Sequence, residues 1–524
     1  MREGVLHALR PVYLPADTLP LGHRTQRYIR LQRAQPKYRR LADSLQQTHR
    51  SWREQVFYRA HAESRDLHGN CEVQMMKIKF FVVSMVLLLL SGCGGEQAPV
   101  AEEFAAGQQS ISVEAEESSR SVEPSVQEDS YSTDEGSAAS AETAEEVSEE
   151  PKEQEEPALT IVMVGDVLLH TPVAESGKRE DGGYSFEHLF ANTRELTEAA
   201  DLAMVNQEVI LGGTELKITG YPAFNAPYEL GDALAEAGFN TVLHATNHAL
   251  DKGKKGLTNC LNFWESAHPD VNVLGIHGSA EDADEIFVFE KDGIRVAVVN
   301  YTYGTNGIPL PEDMPYAVDL LEEEKLIRDL DRAEELADFT ICCPHWGTEY
   351  VLEQTKHQRR WAKLMAEHGV DLIIGTHPHV IEPVCGLVRE EDGTWTEKTA
   401  GEVDFTQPGA VLCYYSLGNF VNWTSGIGQG VANRMVGCMA DVTLQKDREG
   451  KVFVQSFQTI PLVSHLEKGF GGVTVYPLSQ YSEELAKRNE IRKQDSDFSY
   501  EYCVNLAEKV LQWNRSEVQE PHEQ

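Results

Sequence analysis

Basic charge is scarce in this chain of 524 residues: 46 Lys and Arg stand against 84 Asp and Glu, for a net charge of -38. A protein that grips a phosphate backbone needs a basic surface, so nucleic acid is excluded as a partner. Aromatic residues make up only 8% and hydrophobic residues 41%, low for one uniform globule of this length. Part of the chain is therefore expected not to fold. Cysteine is sparse as well, nine residues with no regular spacing, which excludes a disulfide scaffold and a Cys-rich zinc module. Long hydrophobic runs are missing too. The most apolar run, Phe80 to Leu90, has 11 residues, about 16 Å as a helix, too short for a hydrocarbon core of roughly 30 Å.

What charge there is falls in three regimes. Residues 1–74 carry 13 basic and 7 acidic side chains, residues 94–157 carry 2 and 19, and residues 158–524 carry 29 and 58. The apolar run lies between the first two, preceded by Lys77 and Lys79 and followed by Leu90-Ser91-Gly92-Cys93. This has the form of a signal-peptide h-region, and its ending resembles the bacterial lipobox. By that resemblance Cys93 is the lipidation site, anchoring the protein on the outer face of the cell membrane; the alternative is an ordinary signal peptide with an incidental cysteine. A signal peptide at residues 75–93 implies that translation starts at Met75 or Met76 and that residues 1–74 are a mis-annotated or disordered extension, the alternative being a cytoplasmic one. Residues 94–157, rich in Glu, Ser and Ala, cannot bury enough apolar surface to offset chain entropy and are expected to form a disordered acidic linker.

From Leu159 onward short apolar runs end in Asp, Asn, Glu or His and alternate with helical stretches, the pattern of an α/β domain over residues 158–524. Strands are predicted at 159–165, 202–205, 241–245, 295–301, 339–343, 372–375 and 410–415, and helices at 187–200, 228–237, 254–267, 322–337 and 355–368. The helix at 322–337 places Leu326, Leu330, Ala333 and Leu336 on one face, for packing on a sheet. The strand ends carry the chemistry: Asp166, Asn206 and Glu208, Asn247 and His248, His345, His377 and His379, then Ser416 and Asn419. Ligand sites of open α/β sheets lie at the carboxyl ends of strands. Carboxylates, an amide carbonyl and several imidazoles together form a mixed N/O donor set suited to two divalent metal ions, Zn, Mn or Fe, rather than to Ca or Mg alone.

The strings GDVLLH (165–170), NQE (206–208), AFNAP (223–227), ATNHALDKGKKGL (245–257), YTYGTNG (301–307), HWGTEY (345–350), GTHPHV (375–380) and YSLGNF (415–420) resemble those of the bacterial capsule synthesis protein CapA family, associated with poly-γ-glutamate. That family is similar to the calcineurin-like metallophosphoesterases, which implies a two-sheet β-sandwich flanked by helices and a two-metal site. The resemblance implies Asn247 as a metal ligand, His248 as general acid, His345 and His377 on one metal and His379 on the other. Superfamily members open with Asp-x-His and a separate Gly-Asp; here Asp166 is followed by His170 four positions later, and then by Glu208. Asp166 is accordingly assigned to one metal, Glu208 to the bridge, and His170 to the margin of the ligand set, while Gln207 should point away from the metals.

Asp251 is expected either to hold His248 or to cap a turn. Asn206, Trp346, Glu349, Tyr350, Ser416 and Asn419 are candidate substrate-binding residues, Trp346 alternatively packing beside the metal shell. Cys342 and Cys343 read as buried free thiols. Two functions stay open: a phosphoesterase-like metallohydrolase acting on a phosphoester or cell-envelope polymer, or a non-catalytic polymer-binding component of the capsule machinery, with capsule-synthesis membrane proteins as further partners. A polyanionic polymer would have to meet the metals or a local basic patch such as Lys252, Lys254 and Lys255.

Overall fold

A computed structural model describes residues 156–514. The expected extension at 1–74, the signal peptide at 75–93 with Cys93, and nearly all of the acidic linker lie outside the described residues. Among those described, no helix is long and apolar enough to cross a membrane.

Among the described residues, fifteen strands form two sheets. They are β1 (Ala158–Val167), β2 (Leu202–Asn206), β3 (Thr241–Leu243), β4 (Asn272–Leu274), β5 (Phe287–Lys291), β6 (Ile294–Thr302), β7 (Phe339–His345), β8 (Leu372–Ile374), β9 (Val384–Arg389), β10 (Trp395–Thr399), β11 (Ala410–Tyr414), β12 (Asn419–Val421), β13 (Val436–Lys446), β14 (Val452–His465) and β15 (Thr474–Pro477). One sheet runs β15-β14-β13-β1-β2-β3-β4, with β12 also pairing β1; the other runs β10-β9-β11-β8-β7-β6-β5. All seven strands expected from the sequence are present, as is the two-sheet sandwich with helices on its flanks.

The alternation along β1 explains the layering. Leu159, Ile161 and Met163 enter the core between the sheets, where they join Ile294, Val296, Val298, Ile341 and Leu412 of the other sheet. Val162 and Val164 point the opposite way, into a second core with Leu230, Leu257 and Trp264. Successive strand side chains face opposite sides, so a strand buried on both sides reads as one unbroken apolar run.

The helices of eight residues or more are α1 (Glu229–Glu236), α2 (Gly253–Ala267), α3 (Glu323–Leu336), α4 (Lys356–Glu367) and α5 (Tyr500–Leu511). Helix α4 starts at Thr355, whose Oγ1 accepts from the Gln358 backbone N–H at 3.1 Å, a capping box closed by the Gln358 side chain. Its face of Trp361, Ala362 and Met365 packs, with Leu326 and Leu330 of α3, against Cys342, Ile373 and Cys413 on the outer side of the second sheet. Two expectations need correction. Leu336 ends α3 at 42% exposure rather than inside that face. The helix expected over 187–200 is two short ones, Glu187–Phe190 and Arg194–Glu198. Thr193 turns its hydroxyl back to the Phe190 carbonyl, and Asn192 reaches across to the Val475 carbonyl at 3.1 Å, so local and tertiary bonds break the ladder between them.

Candidate metal centre

Parallel pairing brings the carboxyl ends of strands from both sheets to one edge. β1, β2 and β3 run parallel in the first sheet, as do β6, β7, β8 and β11 in the second. Asp166, near the end of β1, sits at a register shift in the β1–β2 pairing, an irregularity that re-aims a side chain. Here the β1 backbone closes on the next loop: Asp166 N–H donates to the Gly418 carbonyl at 3.0 Å. His377 and His379 follow β8 with φ of 98° and 58°. Left-handed backbone is costly for a residue with a Cβ, and such strain clusters at functional sites.

Asp166, Glu208, Asn247, His248, His345, His377 and His379 are all buried. Two groups of them could hold a metal ion: Glu208 with His345 and His377, and Asp166 with Glu208 and His379, the donor atoms of each group lying within 4.8 Å of one another. Glu208 belongs to both. Neither of its oxygens has a hydrogen-bond partner, nor has His377 Nδ1. Its nearest imidazole nitrogens are His345 Nε2 and His379 Nδ1, each at 3.7 Å, and His248 Nε2 at 3.9 Å. An unpaired buried carboxylate costs several kcal/mol, and a divalent cation is the partner that this donor set fits.

The protonation states of His345 and His377 agree with that fit. Burial, followed by neighbouring imidazoles, holds His345 and His377 well below the usual histidine range, in the neutral form that ligates metals. Burial raises Glu208, and Asp166, Glu349 and Asp251 add to the effect against His379. Burial alone would lower His379, but Glu208 and Asp166 outweigh it and hold the ring at about 9.

Hydrogen bonds among these side chains and to their neighbours aim the cluster. Asn206 Nδ2 donates to Asp166 Oδ1 at 2.9 Å, His345 Nε2 lies 2.9 Å from Asn247 Oδ1, and His379 Nδ1 donates to Asp166 Oδ2 at 3.0 Å. Asp251 accepts from His248 Nδ1 at 2.6 Å and from the Phe224 backbone N–H at 2.7 Å, so it holds the ring and closes a loop at once.

Several candidates stand elsewhere. His170 is outside both metal-type groups: it lies edge-on to Phe224 with ring centroids 5.1 Å apart, and burial, then His379, His248 and Arg434, lower it to about 4. Asn206 is fully buried on Asp166 rather than open to a substrate. Trp346 packs in the core beyond the second sheet, its Nε1 donating to the Tyr415 carbonyl at 3.0 Å. Ser416 donates to the Val380 carbonyl and accepts from Gly418, which shapes the turn. Asn419 is buried, accepting from His379 Nδ1 at 3.2 Å and donating to the His379 carbonyl at 2.9 Å. Glu349 and Tyr350 are exposed. Gln207 turns to the Val209 carbonyl, and Cys342 and Cys343 are buried free thiols.

Two residues that the sequence reading did not single out flank the cluster. The Tyr303 ring lies 4.6 Å from that of His377, and the Arg434 guanidinium lies 3.5 Å above the Tyr350 ring, which is 5.9 Å from that of His379. Tyr303 stands within the YTYGTNG string, a signal that was available; Arg434 follows β12 outside any motif. A cavity of about 320 Å³ whose lining includes residues of β4, β5 and β6 contains none of the cluster. The orphaned donors favour the cluster over that cavity as the candidate site.

Residues 160–424 match a family described as bacterial capsule synthesis protein PGA_cap. The chain is 27% identical over 285 residues to the capsule biosynthesis protein CapA of Bacillus anthracis, covering 52% of this chain and 62% of that protein. It is 26% identical over 271 residues to the PGA biosynthesis protein CapA of Bacillus subtilis (strain 168), covering 51% and 60%. It thus spans less than two thirds of either relative. Among solved structures it is similar to a putative 5'-nucleotidase from Staphylococcus aureus in complex with α-ketoglutarate (17% identity, 58% of this chain and 54% of that chain, TM-score 0.33). It is also similar to the NAD nucleotidase of Haemophilus influenzae (12%, 63% and 61%, TM-score 0.35). These TM-scores are too low to bear on function.

Proposed function

Because the chain belongs to the bacterial capsule synthesis protein PGA_cap family, we propose that it is a lipid-anchored cell-surface metallohydrolase of the phosphoesterase type, serving capsule or poly-γ-glutamate synthesis or export. The observation that carries the proposal is Glu208, buried with both oxygens unpartnered and shared by two carboxylate–histidine groups. In this reading Glu208 would serve both of two divalent cations, Asp166 and His379 would hold one, and Asn247, His345 and His377 would hold the other. Mn, Fe and Zn suit such donors. When bound, the pair would supply Lewis acidity and a nucleophile from water at neutral pH.

The chain's own residues do the rest. With Asp251 accepting from His248 Nδ1, the Nε2 atom faces the cluster, where it can give a proton to the leaving oxygen as general acid. The low exposure of His345, His377 and His379 keeps bulk water from competing for the donors. Cys93 would carry the lipid and residues 94–157 would hold the domain away from the membrane. The test is hydrolysis of a generic phosphodiester by the purified full chain with added Mn. Activity that is lost in His248→Ala supports the reading; a metal-loaded chain inert toward both monoesters and diesters removes the hydrolase.

The second reading, a polymer-binding assembly component, draws on Tyr303 and Tyr350, 47% and 44% exposed beside the cluster, which suit binding whether or not a bond is cut. Polymer binding that survives both Glu208→Ala and metal removal would place that function outside the cluster.

A further inference from the structure

The domain is strongly acidic, and its surface lysines and arginines largely answer to neighbouring carboxylates. Two of the three lysines offered by the sequence as a local basic patch are engaged: Lys254 pairs with Asp313, and Lys252 donates to the Ala223 carbonyl at 3.0 Å. Arg434 is different. It belongs to the 3-10 turn Val431–Met435 that leads into β13, beyond the end of the family match at residue 424.

Four contacts fix this arginine. Its guanidinium stacks 3.5 Å above the Tyr350 ring, Nη1 donates to Thr424 Oγ1 at 2.9 Å, and its backbone carbonyl accepts from Asn419 Nδ2 at 2.9 Å and Asn422 Nδ2 at 3.1 Å. Asn419 is the residue that bonds His379 through both its side-chain oxygen and its side-chain nitrogen. Arg434 is thereby tied to the rim of the cluster through one intervening side chain. Yet no carboxylate among the described residues forms an ion pair with it, and its Nε is buried without any partner. A guanidinium held flat by an aromatic ring, with donors to spare, is pre-organised for an oxyanion. Exposed Glu349, next to Tyr350 in the chain, opposes non-specific anion capture, so only a ligand anchored elsewhere would gain from the arginine.

We infer that Arg434 is a specificity-determining residue, receiving a second anionic group, a carboxylate or a phosphate, of a substrate whose first anionic group sits at the metal cluster. This rests on the proposed function above. It narrows the substrate class to molecules with at least two oxyanions, of which only one is at the reacting centre, and explains how so acidic a domain can accept a polyanion.

The test uses the full chain loaded with Mn, its metal content measured first, and calorimetric titration with three probes: butylphosphonate, which has one anionic head, and phosphonobutyrate and propane diphosphonate, which have two. The wild type should bind a two-headed probe about tenfold or more tightly than butylphosphonate, as expected for one charge-assisted hydrogen-bonded pair. Arg434→Gln should lose that advantage with metal content and melting temperature unchanged, and Arg434→Lys should recover part of it. An advantage confined to phosphonobutyrate assigns a carboxylate and one confined to propane diphosphonate a phosphate; either supports the inference. Equal affinity for one- and two-headed probes in the metal-loaded wild type, or full retention of the advantage in Arg434→Gln, overturns it. A wild-type chain that takes up no Mn overturns the metal reading itself, and the inference with it, at the first step.

Discussion

Asp251 grips His248 by the nitrogen that faces away from the metal-type cluster: Nδ1 donates to Oδ2 at 2.6 Å, while Nε2 lies 3.9 Å from Glu208 Oε1. The same carboxylate oxygen accepts the Phe224 N–H at 2.7 Å, so ring orientation and loop closure share one group. In Asp251→Ala both hydrogen bonds are lost, so the ring is no longer held with Nε2 toward the cluster. A fall in kcat/KM of about 10- to 100-fold is expected, the usual consequence of losing such a partner, with metal content retained. Steady-state kinetics paired with elemental analysis checks it.

On the proposed reading, Glu208 trades stability for metal binding. Its buried, unpartnered oxygens penalise the metal-free protein, so Glu208→Gln should raise the unfolding free energy of chelator-treated protein by about 1–3 kcal/mol while lowering metal uptake. Denaturant unfolding with and without chelator separates the two effects. A metal-free variant less stable than the wild type would contradict this account.

A pH-dependent stability should come from a place remote from the cluster. His277 Nε2 lies 2.7 Å from Asp319 Oδ2 and Nδ1 lies 3.6 Å from Asp282 Oδ2, while Lys325 Nζ lies 3.1 Å from Asp319 Oδ1. Burial works to lower His277, but the two carboxylates raise it to about 9. A histidine raised in the folded state stabilises fully below its unfolded value of about 6.5 and loses that contribution as pH climbs toward 9. The wild type should therefore lose up to about 3 kcal/mol relative to His277→Gln between pH 6 and pH 9. Chemical denaturation of both proteins at the two pH values reads the difference.

Gly165 is where two backbones touch. A Cβ there would stand 1.9 Å from the Gly418 carbonyl oxygen, which accepts the Asp166 N–H. Gly165→Ala must push β1 from the loop before β12 and move Asp166 with it. A loss of roughly 2–3 kcal/mol is expected from such overpacking, together with weaker metal retention, as measured by thermal unfolding and metal analysis.

The cluster was legible in the sequence because each of its residues follows a short apolar run, and runs buried on both faces stand out even singly. What lay beyond reach was structure specified by pairing. β13 and β14 form a long antiparallel hairpin against β1, yet β14 mixes Gln455, Ser456, Gln458 and Pro461 with its apolar residues, so no clean period survives. The break at Asn192 depends on Val475, nearly three hundred residues away. Arg434 reaches the rim only because the 3-10 turn Val431–Met435 and the hairpin after it fold back beside Asn419, a placement that local sequence does not encode. Trp346 and Ser416 turn to backbone carbonyls and Asn206 to the Asp166 carboxylate, so all three lie within the protein rather than toward a substrate.

The central claim, that Glu208 joins two metal positions, is tested most directly by metal stoichiometry of the purified full chain after incubation with Mn and removal of excess. Two equivalents per chain in the wild type, with both diminished together in Glu208→Ala, is the predicted result. A wild type that retains no metal, or a Glu208→Ala variant that retains as much as the wild type, would contradict it.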